Sequence, residues 1–487
     1  MSSLVAQLEA FEPVFLELCK LSGIPGVSIR VAHHGKVIYQ ANLGYRDVEA
    51  AIVPDADTIY TLGSLTKPIT AAMAGLLVDE GKIKWDTQLK DVLTDFTREA
   101  NDPLLNLTLT DLLSHQTGLP GHDSLWFLSD NRIMMKRSDA IPMFSTMPAV
   151  LPFRAGYCYN NFAYEIAGQI IEKLSGTTYS SFLQERILKP LGLTRTFVGA
   201  PLDDQNAAKA YMTKKDCTPV EIPLPFAKGD SLMAAAGGVG SSVSDPLKLY
   251  HAYMEAGNAE LESDASEVPS TNPFKELPGP FALPSSEKDR SQLPLVGKGA
   301  PSRLSLYHEG AISGSITFSA VFPETMSSVV VLTNSVPLNY DGPRFIAEVL
   351  IEVMFGVTPP DINSFIERSK KSVKAATTLR RRDKDGLELQ FHGVKEEAFS
   401  LEPYQEDSFT WLASDDELVR RGRFYDYDME YYIIQFQVSK NDDGQDNVVA
   451  LSWKFDSSVE GEPERLKKED SVKKDHAASH IVEKSEL

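Results

Sequence analysis

Hydrophobic and polar positions alternate near both ends of the region 26–333. The segment GVSIRVAHHGKVIYQANLGYRD alternates around His34-Gly35, a pattern that predicts a β-hairpin. The later segments GSITFSAVFPE and SSVVVLTNS also predict strands, and PRFIAEVLIEVMFG predicts a helix after them. We therefore expect an α+β fold, in which helices pack on an antiparallel sheet assembled from both ends of this region.

The chain between these strands follows a helical period. The segment ITAAMAGLLVDE is apolar almost all round and ends at Gly81, which predicts a buried helix. NNFAYEIAGQIIEKLSG has an amphipathic helical period and ends on Gly176. We expect an all-helical subdomain at about residues 90–225 inside a first domain that spans residues 1–358.

Composition changes after this region. Residues 258–303 are rich in Ser, Pro and Glu, which predicts a long loop within the fold, and residues 359–384 predict a linker. Segments such as FTWLAS, YYIIQFQVSK and NVVALSWKF alternate again, so residues 385–460 predict a small all-β domain. The charged tail 461–487 is expected to be disordered.

Charge and composition limit the partners. The chain has 487 residues and a net charge of −20, which argues against a nucleic-acid partner. Apolar runs are shorter than the ~18 residues of a membrane span, and the N-terminal segment has no signal-peptide pattern, so we expect a cytoplasmic protein without membrane contact. Cys19, Cys158 and Cys217 are scattered and have neither disulfide nor metal-ligand spacing.

A serine and a lysine lie three residues apart in LGSLTKPIT. Ser64 needs a base within hydrogen-bond reach, and Lys67 lies on the same face of a helix. Proline is tolerated only in the first turn, so Pro68 predicts that the pair lies at the start of the helix. A Ser-x-x-Lys pair also occurs by chance, as a helix cap and a solvated lysine. The apolar neighbours favour a functional lysine, because a buried charge without a role is costly.

Two further motifs follow along the chain. YCYNNFAY contains Tyr159-Asn160-Asn161, and YHEGAISGSITF contains His308-Glu309-Gly310-Ala311. The order Ser-x-x-Lys, Tyr-x-Asn, His-x-Gly resembles the serine β-lactamase/penicillin-binding-protein-like family. The resemblance is to the class C β-lactamase and esterase branch, in particular to fungal members with a C-terminal β domain. It covers roughly residues 10–358, and framework stretches such as LTLTDLLSHQTGLPGHD, ILKPLGLTRTF and AAAGGVGSSVSDPLKLY share it.

The resemblance implies a site residue by residue. Ser64 would be the acylated nucleophile, and Lys67 and Tyr159 would activate it as a coupled pair. The N–H groups of Ser64 and Ala311 would form the oxyanion hole. The substrate-binding residues would be Asn161, His308 and Gly310. The resemblance implies neither a metal nor another cofactor.

His308 stands where many relatives have lysine. A neutral histidine pairs poorly with the carboxylate of a β-lactam, which argues against strong β-lactam turnover. The leading hypothesis is a serine hydrolase or acyltransferase that acts on a small-molecule ester, thioester or amide, in secondary metabolism by analogy with fungal members. The alternatives are a peptidase releasing D-amino acids, a weak β-lactamase, or a non-catalytic binding protein that keeps the fold. The sequence does not specify the oligomeric state.

Several aromatic and histidine residues near the motifs have a structural interpretation. We assign Tyr157 and Tyr164 to the core and His115 to fold stabilisation, whereas His122 is a candidate for the cleft wall. Four apolar residues suggest either an acyl pocket or ordinary core packing: Trp126, Phe127, Met134 and Met135.

Overall fold

The computed structural model describes most of the first 356 residues and separate segments of the rest. The described residues are 2–199, 204–226, 229–262, 305–356, 363, 366–371, 387–390, 398–405, 408–411, 413, 415–423, 429–440, 446–454 and 464–467. The predicted domain boundaries at 358, 385 and 460 lie outside these ranges and stay predictions.

Helices and strands are numbered in chain order. The α-helices are α1 Ser2–Ala10, α2 Glu12–Ser22, α3 Thr66–Asp79, α4 Leu89–Val92, α5 Leu109–Leu113, α6 Ala140–Thr146, α7 Asn161–Ser175, α8 Tyr179–Leu183, α9 Lys189–Leu191, α10 Ala234–Gly237, α11 Ser244–Glu262, α12 Gly342–Met354 and α13 Asp415–Arg420. The strands are β1 Gly26–His33, β2 Lys36–Gly44, β3 Tyr60–Thr61, β4 Thr196–Val198, β5 Ala210–Thr213, β6 Pro219–Ile222, β7 Val239–Ser241, β8 Leu306–Ile312, β9 Ser315–Phe322, β10 Ser327–Thr333, β11 Ser335–Val336, β12 Leu387–Gln390, β13 Ala398–Gln405, β14 Ser408–Thr410, β15 Ile433–Lys440, β16 Asp446–Trp453 and β17 Glu464–Lys467.

The central sheet joins the two ends of the first region. Its order is β2-β1-β10-β9-β8, and neighbouring strands are antiparallel. Val31 of β1 lies opposite Tyr39 of β2 and Val329 of β10, so one row of apolar side chains crosses the sheet. This architecture confirms the predicted fold class, the hairpin at His34-Gly35 and the late strands.

Helices cover both faces of this sheet. On one face α1, α2 and α12 pack against it through a core that includes Phe15, Ile29 and Leu350. On the other face, a larger core contains residues of α3, α7 and α11, among them Met73, Phe162 and Leu249. In α3, the residues from Thr66 to Leu77 are all buried, as the apolar pattern of this segment predicts.

Three details differ from the sequence predictions. The range 90–225 also contains β4, β5 and β6, which join strands from elsewhere in the chain in the sheets β3-β7-β4 and β11-β5-β6. Strands β4 and β5 depend on distant partners, which local periodicity does not reveal, and β6 pairs with β5. Helix α11 continues to Glu262, so residues 258–262 are helical rather than part of the predicted loop. The rest of that loop, 263–303, lies outside the described residues.

The C-terminal sheet has the order β12-β13-β14-β15-β16-β17, and all its pairs are antiparallel. Strand β17 lies in the tail that the sequence predicted to be disordered, and that prediction is wrong for Glu464–Lys467. The reason is that β16 supplies backbone hydrogen bonds to β17, which charged side chains do not prevent. The tail residues 461–463 and 468–487 and most of the linker 359–384 lie outside the described ranges, although residues 366–371 are helical.

None of the helices in the described segments combines the length and the apolar character that a membrane span requires.

Candidate active site

Ser64 lies in a tight turn against β8, an edge strand of the central sheet. The turn Gly63–Leu65 is a 3-10 helix that leads directly into α3. A Cβ on Gly63 would lie 2.8 Å from the nitrogen of Ala311, and one on Gly310 would lie 1.9 Å from the oxygen of Leu62. Both glycines thus allow the Ser64 turn and β8 to approach more closely than side chains would permit. Ser64 therefore lies just before α3, and Lys67 lies in its first turn.

Ser64, Lys67 and Tyr159 form a hydrogen-bonded set. The Ser64 Oγ lies 2.6 Å from the Tyr159 Oη and 2.9 Å from the Lys67 Nζ. Lys67 also donates to the Asn161 Oδ1 at 2.7 Å and to the Ala236 carbonyl oxygen at 2.9 Å. The structure thus brings together three motif residues that the sequence analysis selected, with Asn161 completing the contacts of the lysine.

Burial controls the ionisation of this set. The Lys67 side chain has no exposed surface, and burial lowers the pKa of its ammonium group to about 7, against an opposing contribution from Asp123. Burial has the opposite effect on a phenol, and it raises the pKa of Tyr159 well above its usual value. The lysine is therefore the easier of the two groups to hold in its basic form near neutral pH.

The start of α7 separates a structural asparagine from a site asparagine. Asn160 caps the helix, since its Oδ1 accepts from the Ala163 N–H at 2.8 Å. Asn161 faces Lys67, and its Nδ2 donates to both carboxylate oxygens of Asp123, at 3.0 and 2.8 Å. Asp123 also accepts from the Trp126 indole N–H at 2.9 Å.

Asp123 is the site residue that the sequence analysis missed. It follows His122 at the end of SHQTGLPGHD, a stretch already recognised as part of the family framework. The available signal was the position of this carboxylate as the last residue of the framework stretch LTLTDLLSHQTGLPGHD. Only the tertiary structure shows that this carboxylate contacts Asn161 and, through it, Lys67.

His308 is half-buried on β8. The His308 Nδ1 lies 2.5 Å from the backbone oxygen of Glu309, and because a carbonyl oxygen can only accept, this nitrogen is the donor. The imidazole ring lies 6.5 Å from the ring of Tyr159, centroid to centroid. Burial, with the nearby Lys67 as a second cause, lowers the pKa of His308 to about 4. The imidazole is therefore neutral at physiological pH, as the sequence argument about β-lactams assumed.

His115 supports Tyr159. It is fully buried, its Nδ1 accepts from the Asn160 N–H at 3.1 Å, and its ring lies 4.5 Å from the Tyr159 ring. Burial lowers the pKa of His115 well below its usual value, so the ring is neutral. Because Nδ1 accepts from Asn160, the proton of the neutral ring lies on Nε2. The structural assignment of His115 fits these contacts, which also link it directly to the site.

The remaining candidates have mostly structural surroundings. Tyr164 is buried and donates to the Leu113 oxygen at 2.8 Å, whereas Tyr157 is half-buried and lies 6.4 Å from Tyr159, ring to ring. His122 is buried, and its part in the cleft wall stays a prediction. The four apolar residues divide in the following way: Trp126, Phe127 and Met135 pack with the main core, and Met134 is 40% exposed.

Across the ranges the structure describes, no group of three or more His, Cys, Asp or Glu residues is placed to hold a metal ion. The polar groups around Ser64 are a lysine, a tyrosine and an asparagine, which are proton-transfer and hydrogen-bonding groups rather than a typical metal-ligand set.

Comparison with known proteins gives a consistent picture. A family model described as Beta-lactamase matches residues 11–351. A protein named Unguisins hydrolase ungD, from Aspergillus violaceofuscus, is 30% identical over 50% of this chain and 44% of its own length. Its counterpart from Aspergillus campestris is 27% identical over 72% of this chain and 67% of its own length. The matched region therefore covers less than half of the length of the first relative.

Two further similarities extend this comparison. Esterase EstB from Burkholderia gladioli is 26% identical over 62% of this chain and 77% of its own length. Among solved structures, an octameric penicillin-binding protein homologue from Pyrococcus abyssi aligns with a TM-score of 0.56 and 22% identity, over 92% of this chain and 96% of that chain. This last similarity supports the fold.

Proposed function

The chain belongs to the β-lactamase family of serine hydrolases, and from that membership we propose that it works through an acyl-enzyme formed on Ser64. The single observation that carries the proposal is the hydrogen-bonded contact of the Ser64 Oγ with both Lys67 and Tyr159, at 2.9 and 2.6 Å. A serine with two proton-transfer groups in contact is an activated nucleophile.

Counting hydrogen bonds suggests how the proton moves. A neutral Lys67 has two N–H donors and one lone pair. Asn161 Oδ1 and the Ala236 oxygen accept the two N–H groups, which leaves the lone pair to accept the Ser64 Oγ–H. The Tyr159 O–H can then donate to the Ser64 oxygen. After proton transfer, the same three oxygens accept the three N–H groups of the ammonium, so no partner is lost in either state.

We assign the first proton transfer to Lys67. Its pKa of about 7 matches the operating pH that favours general base catalysis, whereas burial makes a Tyr159 phenolate costly. As Ser64 bonds to the substrate carbonyl carbon, its proton goes to Lys67. When the tetrahedral intermediate collapses, the bond to the leaving group breaks and that group takes a proton from the Lys67–Tyr159 pair. Water or an alcohol then accepts the acyl group.

The backbone N–H groups of Ser64 and Ala311 are the proposed donors to the carbonyl oxygen that becomes negative. The close contact between Gly63 and Ala311 supports this proposal, since it brings the two backbones to one position. Preorganised donors of this kind lower a barrier by about 3–4 kcal/mol per donor. Asn161, His308 and Gly310 are the proposed substrate contacts.

The substrate class follows from the neutral His308. A fixed cation would select a substrate carboxylate, and a neutral imidazole gives no such selection. We therefore propose a small-molecule ester, thioester or amide without a required carboxylate at this position. The names of two relatives as unguisins hydrolases and of a third as an esterase support a hydrolytic reaction. No metal or other cofactor takes part in the proposed steps.

Covalent labelling tests the nucleophile. The wild-type protein is incubated with a fluorophosphonate, and its intact mass is expected to increase by one adduct. Ser64→Ala should gain no mass, whereas Ser138→Ala, which removes an exposed serine hydroxyl elsewhere, should react like the wild type. A wild-type protein that gains no adduct, or a Ser64→Ala variant that gains the same adduct, would show that the assignment is wrong.

A substrate panel tests the reaction class. Release of p-nitrophenol from neutral p-nitrophenyl esters is compared with turnover of D-amino-acid anilides and of a chromogenic cephalosporin. The proposal expects the neutral esters to have the highest kcat/KM. A clear preference for the anilides would favour the D-aminopeptidase alternative, and a preference for the cephalosporin would favour a β-lactamase.

A further inference from the structure

A side chain from the first region lies in the core of the C-terminal sheet. Leu128 is 1% exposed and belongs to the same buried cluster as Trp411, Tyr431 and Trp453. These aromatic residues come from the C-terminal segments around β14–β16, whereas Leu128 lies shortly after Asp123 in the chain. The contact therefore joins the C-terminal sheet to a segment that begins at the active site.

The backbone next to Leu128 is fixed by the same region. The Asp130 N–H donates to the Arg421 oxygen at 2.9 Å, and a Cβ on Gly422 would lie 2.9 Å from the Asp130 Oδ1. Asp130 and Asn131 both have left-handed backbone angles, with φ of 55° and 56°. Residues other than glycine keep such conformations where the surrounding structure holds them, and here Arg421 and Gly422 contribute to that surrounding.

The strands that flank Ala311 contact both the segment 123–131 and the C-terminal region. Asn131 Nδ2 donates to the oxygen of Ser313, at 3.0 Å, in the turn that follows β8. Val419 of α13 is fully buried in a cluster with Ile316 of β9, and Ala311 packs against that cluster. The C-terminal region therefore supports both the segment that carries Asp123 and the strand that carries Ala311.

The segment 123–131 transmits this support toward Lys67. The Phe127 N–H donates to the backbone oxygen of Asp123 at 3.0 Å, and this bond closes a turn one residue before Leu128. The Asp123 carboxylate in turn holds Asn161, whose Oδ1 accepts from Lys67. A continuous set of contacts therefore runs from the C-terminal core to the proposed general base.

We propose that the C-terminal sheet is a positioning element of the active site, in which Leu128 fixes the segment 123–131 and thereby holds Asp123 beside Asn161 and Lys67. The inference rests on the proposed function, because it assigns a role to Leu128 in the acylation of Ser64. Leu128 is a positioning residue: it contacts neither Ser64 nor Lys67, and it acts through Asp123.

The inference predicts a specific change in pH dependence. The titratable groups that face Lys67 are the following: Asp123, Tyr159, Tyr164, His115 and His308. Only Asp123 lies on the segment 123–131, and its negative charge favours the protonated lysine. A loosened segment should therefore lower the pKa of Lys67 and leave Asn161 less well oriented. The first effect shifts the pH profile toward acid, and the second slows the reaction.

The test compares full-length Leu128→Ala with a matched control. The second-order rate of fluorophosphonate labelling is measured by intact mass across a pH series. Leu128→Ala is expected to react about 10- to 100-fold more slowly, as for a small misplacement of reacting groups, with its acid limb at lower pH. Leu8→Ala removes an equally buried leucine from the core on the far side of the central sheet and should react like the wild type despite lower thermal stability. Leu128→Met, which conserves the side-chain volume, should restore the wild-type rate and profile.

The outcomes separate the inference from the proposed function. If Leu128→Ala does not fold, Leu128→Val removes a smaller group and should shift the rate and the profile in the same directions. Labelling at Ser64 with the same rate and pH profile in the wild type, Leu8→Ala and the folded Leu128 variant would overturn the inference alone. A wild-type protein that gains no adduct on Ser64 would contradict the proposed function and the inference with it.

Discussion

In the mechanism that we propose, the charge of Asp123 sets the pH range in which Ser64 is acylated. Two hydrogen bonds and one amide group separate the Asp123 carboxylate from the Lys67 Nζ. This arrangement puts the charges roughly 7 Å apart, and at an effective dielectric constant of about 20 Coulomb's law gives an attraction of about 2 kcal/mol. Because about 1.4 kcal/mol corresponds to a factor of ten in an equilibrium constant, this attraction favours the protonated form of Lys67 by more than tenfold, and Asp123 accordingly raises the pKa of the lysine.

Asp123→Asn removes this charge with little change in shape. Acylation needs neutral Lys67, so the rate rises with pH through the lysine pKa, which is about 7 in the wild type. Loss of the carboxylate disfavours the protonated form, and the midpoint of the acid limb should therefore fall below that of the wild type.

The assay is the pH dependence of fluorophosphonate labelling, measured by intact mass between about pH 5 and pH 9, a range that extends to both sides of the wild-type midpoint. Asp95→Asn is the control, because Asp95 is exposed and the substitution changes the net charge equally. The maximal rate of Asp123→Asn can also fall, since Asn161 loses its partner, but the position of the limb reports the charge. A limb that stays at the wild-type pH, or moves to higher pH, would refute the assignment of Lys67 as the base.

Three further predictions address neighbouring groups. His308→Lys introduces a cation, so kcat/KM for an ester that carries a carboxylate should rise about tenfold relative to a neutral ester. An equal change for both esters would contradict the role of His308 in substrate selection. His115→Phe removes the acceptor of a buried backbone N–H, which should lower the free energy of unfolding by about 1–3 kcal/mol and reduce kcat more than KM. Chemical denaturation measures the first effect and ester kinetics the second. An unchanged kcat in the folded variant would show that His115 does not act on the site. Gly310→Ala places a Cβ 1.9 Å from the oxygen of Leu62 and should strongly lower the thermal stability of the protein. The control Gly257→Ala lies in a helix with open space around it and should be neutral or stabilising by about 0.5–1 kcal/mol. Equal stability of the two variants would contradict the close contact at Gly310.

The central sheet was predictable because its signals are local. Alternation identifies β1, β2 and β9 and a continuous apolar run identifies β10, each from side chains within one strand, and the antiparallel hairpin at His34-Gly35 fixes one register. The short strands β4 and β5 lacked such a signal, since β4 pairs with β7 and β5 pairs with β11, both far along the chain, whereas β6 is a short strand that pairs with β5. Strand β17 was missed for a related reason: its charged sequence resembles a solvated tail, and only its pairing with β16 makes it a strand.

The site was predictable to the extent that its residues lie in motifs. The Ser64–Lys67 spacing is local, but the choice between a catalytic lysine and a solvated one depends on burial. The apolar neighbours favoured the buried state, and Lys67 has no exposed surface and three hydrogen-bond acceptors. The acceptors Asn161 and Ala236 come from other parts of the chain, so neither these hydrogen bonds nor the burial that lowers the pKa of Lys67 could be obtained from the spacing.

The residues that tune the site lie outside the motifs, and this has a consequence for specificity. Asp123 acts on Lys67 through Asn161, and Leu128 connects the same segment to the core of the C-terminal sheet. The three motifs alone describe a nucleophile and a base that many substrates could use. In the function that we propose, the neutral His308 of the third motif removes carboxylate selection, and the C-terminal region supports the base. A search for the substrate should therefore begin with the full-length chain and neutral acyl compounds, because isolated residues 1–358 would lack the contacts that hold Asp123 in place.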